Sequence, residues 1–180
     1  MKPHKISIKR KKSFDLNYQK NKFVLFIGEN SKLDSGVPLH SDIKDMIKKF
    51  INKKVFQDLP INKSIYLDNP LTLDPDFILI IKVKNCVDDK DLYEFGKIIS
   101  KFKERNALSI IWTIGKALDL TARTIQLRSY VFNSLKTENK RAKNSSETIF
   151  FVDEKYKSPK KELSINDALA QGVFLCRDLT

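Results

Sequence analysis

The stretch "DFILIIKVKN" narrows the possible folds of this 180-residue chain more than any other part of it. Phe77 to Ile81 are apolar without a break, so both faces of an extended segment there are hydrophobic. A strand wetted on one side alternates apolar with polar residues. One that is apolar on both sides needs helices above and below its sheet. The run therefore predicts a central strand of a layered α/β fold. "KFVLFIGEN", closed by Gly28, and "ALSIIWTIG", closed by Gly115, predict two more buried strands. "SIYL", cut off by Asn69-Pro70, reads as an edge strand, and "ETIFFV" as a further one.

Helical spacing fills the gaps between these runs. "SDIKDMIKKFIN" sets Ile43, Met46, Ile47, Phe50 and Ile51 on one stripe, with Ser41 or Asp42 as its cap. "DDKDLYEFGKIISKFKER" opens on acidic residues, ends on basic ones as the helix dipole favours, and buries Leu92, Phe95, Ile99 and Phe102. A third helix is expected from Thr124 to about Thr137, using Ile125, Leu127, Val131, Phe132 and Leu135. "KTENKRAKNSS" is polar, and "DEKYKSPKKEL" reads as a charged surface linker. Ser164 and Asp167 then form a capping-box pattern, S-x-x-D, which opens a last helix. Ile165, Ala168, Leu169, Gly172, Val173, Cys176 and Leu179 make one apolar stripe along it. No Gly, Asn or Pro follows that stripe, so the start of the helix is written in the sequence and its end is not. Strands alternating with helices imply an α/β sandwich with a parallel or mixed sheet.

Charge is uneven. Residues 1–22 hold eight Lys and Arg against Asp15 alone, so this basic head carries +7 of the net +12. Most basic residues are Lys, which suits phosphate contact or a solvated surface better than base reading. No apolar run reaches the roughly eighteen residues of a membrane span. The basic N-terminus has no apolar h-region of the kind a secretory signal carries. Cys86 and Cys176, far apart, suit buried thiols in a reducing cytoplasm.

The inventory of reactive groups is poor. His4 and His40 have no second His or Cys at ligand spacing, and His40 reads as a surface or capping residue. Asp88, Asp89 and Asp91 serve a helix dipole, and Asp153-Glu154 lies in a loop. Neither G-x-G-x-x-G nor a P-loop occurs. "IGENSKLDSG" sits where α/β sheets bind ligands, at the carboxyl end of a strand, but its two glycines are a weak signal. By its own residues the chain is not an enzyme.

The terminal "ALAQGVFLCRDLT" resembles the helix joining the two domains of the leucyl aminopeptidase (cytosol aminopeptidase) family, A-x-x-x-G-x-x-x-A-R-D-L. Ala168, Gly172, Arg177, Asp178 and Leu179 match, with Cys176 at the small-residue position. The order of "FVLFIGEN", "FILIIKVKN", "ALSIIWTI" and "TIFFV" also resembles the N-terminal domain of that family. The resemblance implies a macro-domain-like three-layer sandwich, a mixed β-sheet with helices on both faces. It implies residues 1–163 as that domain and residues 164–180 as the start of the helix linking it to a missing catalytic domain.

In such metallo-exopeptidases, which release N-terminal amino acids, two divalent ions (Mn or Zn) are held by the catalytic domain. Motifs resembling "DTGG" and "NTDAEGR" hold them there, and neither occurs here. No catalytic or metal-binding residue carries over, and no cofactor is expected in this chain. The expected partners are its own catalytic domain and a homohexamer, with the N-terminal domain serving assembly and access. DNA is the alternative partner, contacted through Lys9, Arg10, Lys11, Lys12, Lys140 and Arg141. An ADP-ribose-type ligand at the "GENSKLDSG" loop is a third reading, from the macro-like fold alone.

Overall fold

The apolar run forms β4 (Phe77–Val83), inside a six-stranded sheet of order β1-β6-β5-β2-β4-β3. The computed structural model describes residues 6–11, 22–30, 32–33, 37, 39–68, 77–102, 108–114, 118–128, 147–152 and 160–179. The other strands are β1 (Ile6–Lys11), β2 (Lys22–Gly28), β3 (Ser64–Asp68), β5 (Leu108–Ile111) and β6 (Glu147–Val152). Every pairing is parallel except that of β3 with β4, so the sheet is mixed. β4 runs beside β2 from Phe23↔Ile78 to Gly28↔Val83, and the "SIYL" strand β3 closes that side as an edge.

Helices α1 (Ser41–Ile51) and α2 (Lys54–Gln57) cover one face. α3 (Asp89–Phe102) and α4 (Asp119–Arg128) cover the other, and α5 (Lys160–Leu179) packs on α4. The two-residue period of a strand explains why Ile78 to Ile81 are apolar in succession, each face meeting its own helical layer. Leu79, Ile81 and Val83 join Leu92, Phe95 and Ile99 of α3, while Ile78 and Ile80 join Ile43, Ile47 and Ile51 of α1. Each such fully buried side chain contributes about 1.5–3 kcal/mol relative to exposure. In the α3 core the Phe26 ring meets Trp112 edge-on at 5.2 Å and Phe95 tilted at 5.3 Å.

Lys82 interrupts the apolar pattern of β4 and is nonetheless buried. Its ammonium donates to the carbonyls of Gln57 at 2.6 Å and Phe56 at 3.3 Å, so it satisfies acceptors that the end of α2 leaves open. α3 and α4 touch at Gly96. A Cβ there would lie 2.5 Å from Thr124 Cβ and 3.0 Å from the Thr121 carbonyl oxygen. Thr121 Oγ1 donates to the Leu92 carbonyl at 2.9 Å across the same contact.

Several boundaries differ from the sequence reading. Part of the basic head is a strand, β1, held at the sheet edge by pairing with β6. β5 stops at Ile111 rather than running to Gly115. α4 starts at Asp119, five residues before Thr124; the expected continuation over residues 129–137 lies outside the described residues. Its first turns are hard to see in the sequence because Thr121 and Thr124 occupy buried positions, their hydroxyls donating to the Leu92 and Leu120 carbonyls. The cap of α1 is His40, whose Nδ1 accepts from the Asp42 N–H at 3.4 Å, and not Ser41 or Asp42. α5 starts at Lys160, so Ser164 lies inside it: the Lys-Lys-Glu-Leu after Pro159, expected as linker, are good helix formers.

Candidate functional site

An amphipathic helix normally turns its more apolar face inward. Among its described side chains, α5 leaves an apolar row facing outward as well. Ala170, 2% exposed, and the half-buried Phe174 lie one turn apart on its inward side, where α5 packs on α4. The stripe legible in the sequence points to solvent: Ile165 is 49% exposed, Leu169 51% and Val173 38%. Ala168, Gly172 and Cys176 share that exposed surface. A methyl group built on Gly172 would meet nothing within 4 Å, so no packing within the chain requires glycine there. Scattered exposed apolar side chains are ordinary, but a straight row of them on a helix is a surface suited to being covered. Covering these three would contribute about 1 kcal/mol each. Arg177, Asp178 and Leu179 form the backbone of the last turn of α5.

A second location is the carboxyl edge of the parallel strands, where open α/β sheets bind ligands. β2 ends at Gly28, and a Cβ there would lie 3.1 Å from Asn30 Oδ1 and 3.9 Å from Asn85 Oδ1. Two side-chain amides thus converge beside the ends of β2 and β4, with the exposed Cys86 next in the chain. Amides can hold a polar ligand, but they supply neither nucleophile nor base. Residues 31 and 34–36 of the "GENSKLDSG" loop lie outside the described residues.

The acidic run before α3 is a helix start joined to a neighbouring turn. The Asp91 N–H donates to Asp88 Oδ1 at 3.0 Å and the Asp88 N–H to Asp91 Oδ2 at 2.7 Å, a reciprocal capping box. Lys84 Nζ reaches both carboxylates at 2.8 Å. Asn62, with its backbone at φ 59°, donates from Nδ2 to Asp91 Oδ1 at 2.6 Å. The Lys84 ammonium, then the Asp91 N–H, hold Asp88 down at about 2. The two carboxylates, Asp88 first, push Lys84 above its ordinary range. Burial alone would raise Asp91, but donation from Asp88 N–H, Lys84 and Asn62 outweighs it and the carboxyl sits low. The cluster carries its own cation and therefore reads as a fastener between α3 and the turn before β3. Among the described residues no group of three or more His, Cys, Asp or Glu is placed to hold a metal ion.

Of the six basic residues singled out in the sequence, Lys9, Arg10 and Lys11 fall in β1, in register with Phe150, Phe151 and Val152 of β6. Lys12, Lys140 and Arg141 lie outside the described residues. Basic residues on an edge strand also protect a sheet from pairing with other chains. Cys86 and Cys176, expected to be buried, are both exposed, one in the turn after β4 and one on the outward side of α5. Gly96, Lys82 and Asn62 were not singled out from the sequence. An isolated glycine amid strong helix formers is the one signal that marked any of them.

No protein-family profile and no curated protein sequence matches this chain. Solved structures do. A mutant of tomato leucine aminopeptidase superposes with a TM-score of 0.70 at 17% identity, over 97% of this chain and 38% of that one. A mutant of the Oceanobacillus iheyensis macrodomain superposes with a TM-score of 0.56 at 12% identity, over 97% of each chain. The macrodomain of Mycobacterium tuberculosis DarG gives 0.51 at 10% identity, over 82% of this chain and 99% of that one. The fold is thus macro-domain-like, a mixed sheet between helical layers, as the sequence resemblance implied. The chain spans little more than a third of the aminopeptidase chain it matches. No helix among the described residues is long and apolar enough to cross a membrane.

Proposed function

We propose that this chain is the non-catalytic N-terminal domain of a leucyl-aminopeptidase-type enzyme, docked through the outward face of α5 onto a catalytic domain. The observation that carries this reading is the row Ile165, Leu169 and Val173, turned to solvent on a helix whose sequence resembles the family's interdomain helix. In this reading the chain serves assembly and access within a cytoplasmic homohexamer. In this reading the two divalent ions, Mn or Zn, belong to the catalytic domain, as the family resemblance implies.

The test is the native mass of the species carrying this domain in its source cell, detected with an antibody to it. A species far larger than 20.9 kDa, releasing N-terminal amino acids and silenced by a chelator, is expected. A species at 20.9 kDa contradicts the proposal. That outcome would favour a second reading, DNA binding, which rests on three consecutive basic residues in the edge strand β1. Phosphate contacts of that kind weaken steeply as salt rises.

A further inference from the structure

We draw no further inference here: the strongest candidate, the outward apolar stripe of α5 with its small residues Ala168, Gly172 and Cys176, already carries the proposed function, and nothing in the structure shows what else covers it.

Discussion

α3 and α5 each carry an apolar stripe legible in the sequence, pronounced in α3 and weaker in α5, and the two stripes are used in opposite senses. In α3, Leu92, Phe95 and Ile99 face the sheet, none more than 4% exposed. In α5, Ile165, Leu169 and Val173 face away and stay 38% to 51% exposed. Periodicity reports that a helix has an apolar side. It does not report what lies against that side. α3 is positioned by the strands before and after it, β4 and β5, while α5 rests on α4, with Ala170 and Phe174 its most buried described residues. The chain leaves that stripe uncovered, and in the proposed reading a second body covers it.

The contrast can be broken by substitution. Phe95→Ala removes a side chain buried in the α3 core and is expected to cost about 3–5 kcal/mol. Leu169→Ala is expected to change the stability of the isolated chain by no more than about 0.5 kcal/mol. Urea midpoints at unchanged m-value measure both. Equal losses would mean that α5 packs within the chain as α3 does.

Two glycines sharpen the comparison at smaller scale. Gly96→Ala drives a methyl group into Thr124 and is expected to cost about 1–3 kcal/mol. Gly172→Ala meets open space and should stabilise the isolated chain by up to about 1 kcal/mol through helix propensity. Thermal midpoints moving in the same direction for both would contradict the two environments.

The fastener at the start of α3 has a pH signature. Asp88 has a lower pKa folded, about 2, than its ordinary 3.8, so its contribution is complete above 3.8 and is lost as pH falls toward 2. Asp88→Asn keeps a capping side chain but abolishes the titration, so stability should fall less steeply across that window. An unchanged slope would show that Asp88 is not held low by Lys84 and the Asp91 N–H in solution.

How much of this was legible depended on whether local pattern or distant pairing decides. β4 is written in five consecutive apolar residues, and the start of α3 in its acidic run, whereas the reciprocal bonds of Asp88 and Asp91 emerge only in the fold. β1 was not legible: Lys9, Arg10 and Lys11 are poor strand formers, and their partner β6 comes more than a hundred residues later. The N-terminal half of α4 was hidden by Thr121 and Thr124, polar residues satisfied only once α3 is alongside and the helix has formed. Cys176 reads as buried because it belongs to an apolar stripe, and it is exposed because that stripe faces outward. The direction of α5 is a property of the assembled layers and is absent from the local pattern of its own 20 residues.

The two cysteines offer the most direct measurement of that outward face. Both thiols are exposed, Cys176 on the outward side of α5 and Cys86 in the turn after β4. Thiol-labelling rates should be compared between the isolated chain and the species in which its cell holds it, with Cys86 as the reference for general accessibility. If α5 docks, Cys176 labels readily in the isolated chain and slowly in the native species. If Cys176 labels at the same rate relative to Cys86 in both, the stripe is uncovered in the cell and α5 is not a docking helix.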